Sequence, residues 1–143
     1  MDATVTADVA STLTISLSRT TIDFGRLAFG SSVASIGEDV EVASNDLNGY
    51  VLSVDRTAFT PDDLPLALSA LAPAGASVGP ALAGGAKVAI PVAPALDLLI
   101  GSRSGLSGPA GDVWPTSVGF LEPLPLVQAG VHSATLTYTV VGR

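Results

Sequence analysis

Ile22-Asp23-Phe24-Gly25-Arg26-Leu27-Ala28-Phe29-Gly30 joins two short apolar pieces at Gly25, and Gly30 closes the second. An alternating run through Val40 and Val42 follows, then Asn45-Asp46-Leu47-Asn48-Gly49, then Tyr50-Val51-Leu52-Ser53-Val54. Apolar residues at every second position mark strands buried on one face. Glycines between such pieces permit bends and bulges. The stretch therefore predicts the edge of a β-sandwich. Asn45 to Gly49 predicts a five-residue hairpin connection with glycine near its end.

Upstream, the same period continues. Leu13, Ile15 and Leu17 alternate with Thr12, Thr14, Ser16 and Ser18, a half-buried strand with threonine outside. Before it, Ala3, Val5, Ala7 and Val9 alternate with Thr4, Thr6 and Asp8. This first run is weaker, because alanine and valine bury little. Two placements fit it: an in-register strand of its own sandwich, or a strand donated to a neighbour's groove, where main-chain hydrogen bonds supply the affinity. The chain divides accordingly into residues 1–10, an N-terminal strand or arm, and residues 11–143, the sandwich domain.

Downstream, Ser31 to Gly37 reads as a loop and Glu38 to Val42 as a strand with an acidic outer face. All ten prolines lie between Pro61 and Pro125. Proline cannot donate to a central ladder, so this middle predicts short edge strands and loops. Leu64, Leu66 and Leu68 fit a strand; Leu64, Leu68 and Leu71 also fit a helix capped by Asp62-Asp63. The strand is the reading taken. Ala72 to Gly85 predicts a surface excursion, Val88 to Val92 and Leu96 to Ile100 two strands, and Gly101 to Gly111 a loop. Val113-Trp114-Pro115 begins the return, with Val118, Phe120 and Leu121 in the core. The last strand, Ser133 to Val141, turns Ala134, Leu136, Tyr138 and Val140 inward and Thr135, Thr137 and Thr139 outward. The fold class is all-β: an Ig-like antiparallel β-sandwich with a Pro/Gly/Ala-rich middle segment.

Composition bounds the function. A length of 143 residues suits one domain, and an apolar share of 48% is ample for a core. Charged residues make up only 13%, about half the usual share, so threonine, serine and glycine carry the surface polarity, as in extracellular β proteins. The net charge is -7 and Lys87 is the only lysine, which removes the basic footprint of a nucleic-acid binder and disfavours anionic membranes. No run of about 18 apolar residues could span a bilayer. With no cysteine there is no disulfide, thiol chemistry or cysteine metal site. No secretory leader is recognisable, and Met1-Asp2-Ala3-Thr4-Val5 has the look of a start methionine set before a mature exported chain.

No residue set rises to a catalytic, cofactor-binding or metal motif, so the expectation is a non-enzyme without cofactors. His132, the only histidine, falls on the polar side of the last strand and is expected to face solvent. The Gly-x-Ser-x-Gly elbow of serine hydrolases is missing; Gly101-Ser102-Arg103-Ser104-Gly105 has arginine at its centre. Glu38, Asp39 and Glu41, or Asp62 and Asp63, could offer oxygens to calcium but lack the spacing of a calcium loop, so a solvated face is the simpler reading. Gly84-Gly85-Ala86-Lys87 lacks the residues of a phosphate loop and reads as a turn. Tyr50, Trp114 and Tyr138 are candidate ligand-facing aromatics for a sugar surface, with core packing as the competing reading.

The order of features resembles exported Ig-like β-sandwich proteins of bacterial surfaces, such as WxL-like cell-wall proteins and TasA-like filament subunits. The residues carrying the likeness are Leu13/Ile15/Leu17, Ile22-Asp23-Phe24-Gly25 with Gly30, Val42 to Asn45, Gly49-Tyr50-Val51-Leu52, and Thr137-Tyr138-Thr139-Val140. They cover about residues 11–56 and 131–141. Trp114 is followed by Pro115-Thr116, where the first group has Trp-x-Leu. The resemblance implies an extracellular or cell-surface structural protein, as a pilus-like filament subunit joined to copies of itself by β-strand donation. The alternative is a non-catalytic module binding cell-wall polymer or carbohydrate.

Overall fold

A computed structural model describes residues 1–143. Nine strands form in chain order: β1 (Leu13–Leu17), β2 (Ile36–Ser44), β3 (Tyr50–Arg56), β4 (Leu66–Ala70), β5 (Ala76–Val78), β6 (Val88–Ala89), β7 (Leu98–Arg103), β8 (Asp112–Phe120) and β9 (Leu136–Gly142). A 3₁₀ turn, Pro80–Gly85, is the only helical piece. The strands make two antiparallel sheets, one ordered β1-β2-β8-β4-β6 and the other β5-β7-β3-β9. Together they are an Ig-like β-sandwich.

The period-two pattern determines which side chains form its core. In β2, Val40 and Val42 point inward while Asp39 and Glu41 stay exposed. In β3, Tyr50, Leu52 and Val54 are buried. They meet Leu68, Ile100, Trp114 and Val118 in one continuous cluster. The quoted segment Ile22 to Gly30 forms no strand; it crosses one end of the sandwich. Phe24 packs there against Phe120 with ring centroids 5.0 Å apart, and Gly25 turns at φ 73°.

The structure corrects several expectations. Asn45 to Gly49 does connect two strands, but β2 and β3 lie in different sheets, so it is a corner rather than a hairpin. Glu38 faces inward and is buried, because the alternation that exposes Asp39 and Glu41 turns it toward the core. Ala72 to Gly85 is no mere excursion: it contains β5 and the 3₁₀ turn, whose Leu82 is fully buried. The strand read as Leu96 to Ile100 runs on through Arg103, into the predicted loop. Leu121 is half exposed, outside the core.

Pro115 stands in β8, a central strand between β2 and β4. It is tolerated because of its register. Pro115 pairs with Asp39, whose main chain turns the other way, accepting from the Ser18 amide at 2.9 Å. On the β4 side, the Pro115 carbonyl accepts from Leu71, one residue past the end of that strand. The missing N–H therefore faces the end of a neighbour, where no ladder is broken.

Candidate functional site

The two flanks of the sandwich differ. On the β5–β6 flank, the 3₁₀ turn lays Leu82 over the opening and seals it. On the other flank, β1 ends one sheet and β9 ends the other, and neither has a partner on its outer side. The inward face of β1 is Leu13, Ile15 and Leu17, paired with Ser44, Val42 and Val40. These three apolar residues remain 38%, 37% and 38% exposed. Across from them, Leu136, Tyr138 and Val140 of β9 are only half-buried, although they pair with the buried Arg56, Val54 and Leu52. A half-exposed apolar seam thus runs where these two unpaired strand edges meet.

β1 and β9 run in opposite directions along this seam. The end of β9 lies at the start of β1, where a Cβ on Gly142 would meet Leu13 Cδ2 at 4.0 Å. At the other end of β1, next to the last ladder pair Leu17–Val40, lies Glu38, which accepts a hydrogen bond from the Tyr138 hydroxyl at 3.1 Å. Burial pushes the Glu38 carboxyl up, against the Tyr138 hydrogen bond and the Arg19 charge. Burial and the facing carboxylate also push the Tyr138 phenol up. An acid raised in the fold costs stability where it is ionised and costs nothing once it is protonated in both states. Glu38→Gln should therefore raise Tm at pH 7, with Gln still accepting from Tyr138. The gain should shrink toward zero below about pH 4, as calorimetry at the two pH values would read.

Residues 1–11 take no part in either sheet and are exposed throughout. Val5 is 91% exposed and Val9 79%. Ala3, Val5, Ala7 and Val9 therefore form no in-register strand of their own sandwich. Asn45 holds the root of this arm. Its amide donates to Thr12 O at 3.2 Å, its Oδ1 accepts from Thr12 N–H at 2.7 Å, and its Nδ2 donates to Ala10 O at 2.8 Å. The sequence reading missed Asn45, taking it for an ordinary turn residue. Asparagine before a glycine-closed corner was the visible signal.

The other candidates fare differently. Tyr50 and Trp114 are fully buried, which takes both off any ligand-facing surface. Trp114 Nε1–H donates to the Tyr50 hydroxyl at 2.8 Å, and that hydroxyl donates to Asp112 Oδ2 at 2.7 Å. Tyr138 lines the seam, away from these two. His132 does not face solvent: its side chain is only 8% exposed, with Nδ1 at 3.1 Å from Gly130 O and Nε2 at 3.9 Å from Asp62. The Ser133–Thr60 bridge folds this segment back and tucks the ring in. No serine hydroxyl bonds to it. Asp63 is committed to Arg56 at 2.7 Å and to the Phe59 amide at 2.8 Å, and the Arg56 guanidinium holds its carboxyl low. With Glu38 inward and Asp39 and Glu41 outward, the acidic side chains do not converge, and no group of three or more His, Asp or Glu could hold a metal ion. No helix is long and apolar enough to cross a membrane.

The chain is an all-β domain of two packed antiparallel sheets, generic Ig-like in architecture. Compared with protein-family models, with curated proteins and with solved structures, it matches none.

Proposed function

We propose that the protein is an extracellular structural subunit of the cell surface that assembles with copies of itself into filaments by β-strand donation, in the manner its resemblance to TasA-like subunits implies. One observation carries this reading: a free arm with an alternating apolar face, Ala3/Val5/Ala7/Val9, occurs in the same chain as a half-exposed apolar seam whose two strand edges no segment pairs. A sandwich with two unpaired edges beside exposed apolar side chains is a template for an added strand. Covering the remaining surface of Leu13, Ile15 and Leu17 is worth roughly 0.5–1 kcal/mol for each. A head-to-tail contact of this kind uses different surfaces on the two copies, and gives an open chain wherever the rotation between copies does not close a ring. The low charge and threonine-rich outer faces support an extracellular setting.

The test compares the full chain with a variant lacking residues 2–10, by light scattering and negative-stain microscopy at rising concentration. The full chain should polymerise. The truncated chain should stay monomeric with nearly unchanged Tm, since the arm contributes almost nothing to the core. Polymers of the truncated chain, or a full chain that stays monomeric at every concentration, would overturn the reading.

A further inference from the structure

Strand donation leaves open which edge receives the arm, in which direction, and why the arm does not fill its own seam. Resting on that reading, the geometry points to an answer: the arm of one copy adds antiparallel to the free edge of β9 in a second copy, and Asn45 aims it away from the seam of its own chain.

Asn45 supplies the first part. To enter its own seam, the chain before Leu13 would have to double back along the outer edge of β1, turning within residues 10–12. The three bonds from Asn45 hold Ala10 and Thr12 alongside the end of β2. Beyond them, Val9 and Ser11 share a shallow depression with Asn45, Leu47 and Leu106. Leu106 belongs to the loop whose Ser107 amide donates to Ser44 O at 3.0 Å, at the far end of β2. The arm therefore leaves past the end of β2, over the Asn45–Asn48 corner, and away from the free edge of β1.

Direction follows from the antiparallel course of β1 and β9. In copies stacked along the β1 axis, an outgoing arm keeps the direction of β1. Entering the next seam, it runs parallel to that copy's β1 and antiparallel to its β9. Antiparallel pairing is the stronger of the two, and it extends the all-antiparallel order β5-β7-β3-β9 by one strand. Length agrees as well. The alternating run 3–9 and β9 each hold seven residues, about 23 Å of strand. With Ala3, Val5, Ala7 and Val9 turned inward, small side chains meet the exposed flank of Leu13, Ile15 and Leu17. Thr4, Thr6 and Asp8 then join the outward row of Thr137 and Thr139.

The absence of cysteine makes a direct test clean. Neighbouring antiparallel strands bring Cα atoms to the separation a disulfide spans. Thr6→Cys would be combined in turn with Thr137→Cys or Thr139→Cys on β9, and with Thr14→Cys or Ser16→Cys on β1. Each double variant of the full chain is oxidised under assembly conditions beside its single-cysteine parents. The expected result is a ladder of disulfide-linked multimers from at least one β9 pair and from neither β1 pair. Adding Asn45→Ala should convert part of that ladder into monomers crosslinked within one chain. A ladder from β1 pairs alone, or none from any pair while the arm deletion still abolishes polymers, overturns the edge assignment and leaves strand donation standing. Crosslinks only within single chains, with Asn45 intact, overturn the aimed arm and the donation together. An Asn45→Ala ladder identical to its parent overturns the role of Asn45.

Discussion

Asp112→Ala should destabilise the protein by about 3–5 kcal/mol, the usual cost of removing one partner from a buried ion pair, and lower Tm by roughly 10 °C or more. Asp112 is 3% exposed and is the hub of the interior polar network. Arg103 reaches it with Nε at 2.6 Å and Nη2 at 2.8 Å, Gly108 donates its amide at 3.0 Å, and Tyr50 its hydroxyl at 2.7 Å. Alanine would leave all four donors short of an acceptor. Trp114 would suffer too, since its indole N–H rests on the Tyr50 hydroxyl. The network also fastens separate pieces: Arg103 donates to Ala74 O at 2.8 Å, just before β5, and Gly108 lies in the loop before β8. Replacing both partners, Arg103→Met with Asp112→Leu, should cost less than the sum of the single changes, because no buried charge is then left alone. Urea denaturation of the four proteins measures this directly.

The same carboxylate sets the acid limit. Burial alone would raise Asp112; the Arg103 guanidinium, the Gly108 amide and the Tyr50 hydroxyl outweigh it and hold the carboxyl at about 2. A pKa below the unfolded value contributes stability above the unfolded pKa, and that stability is lost as pH falls through the folded one. From an unfolded value near 4, about 2–3 kcal/mol should therefore disappear between about pH 4 and pH 2. Asp63, held low by Arg56, acts in the same direction. The Asp112→Ala protein should show a shallower acid transition than its parent.

Period-two alternation made the strands legible because a sheet with one buried face imposes that period on its sequence. β1, β2, β3 and β9 all announce themselves this way, whereas the leucines of β4 also fit a helix and its Ala67 is buried along with Leu66 and Leu68. The alternation fixes no partner, however. Asn45 to Gly49 has the composition of a hairpin loop, and only the packing of two sheets decides that β2 and β3 part there. β7 reads short in the sequence because Gly101-Ser102-Arg103 has the composition of a loop; its glycine is required by a tryptophan 13 residues away, and its arginine by Asp112. Leu82 was invisible amid alanine and glycine, since one leucine carries no periodicity. The arm is the instructive case. Its alternation states that residues 3–9 suit a strand, and says nothing about whose strand it becomes. The three bonds made by Asn45 bear on that choice, and they appear only in three dimensions.

Gly101→Val should cost about 3 kcal/mol or more, the upper range for overpacking a close-packed core. A Cβ at Gly101 would overlap Trp114 Cη2 and Cζ3 and the Ser77 carbonyl oxygen. Neither neighbour is free to withdraw. Ser77 is the middle residue of β5, paired to Ser102 in the ladder. The indole is fully buried and tied through Tyr50 to Asp112. The register shift at Leu52/Ser53, opposite Gly101 and Leu99, already bends β7 at this point, so the strand has little slack to slide. Gly101→Ala, which adds only the Cβ, should be milder but still clearly destabilising. Trp114→Phe removes the ring atoms in the way, so Gly101→Ala with Trp114→Phe should fall well short of the sum of the two single costs. That coupling separates a steric cause from a loss of strand flexibility, which Trp114→Phe could not repair. Trp114 is the only tryptophan, and its emission reports whether the indole of Gly101→Ala or Gly101→Val has moved toward solvent. Wild-type emission combined with full stability in Gly101→Val would show that the ring and β5 yield together, and would refute the rigid contact.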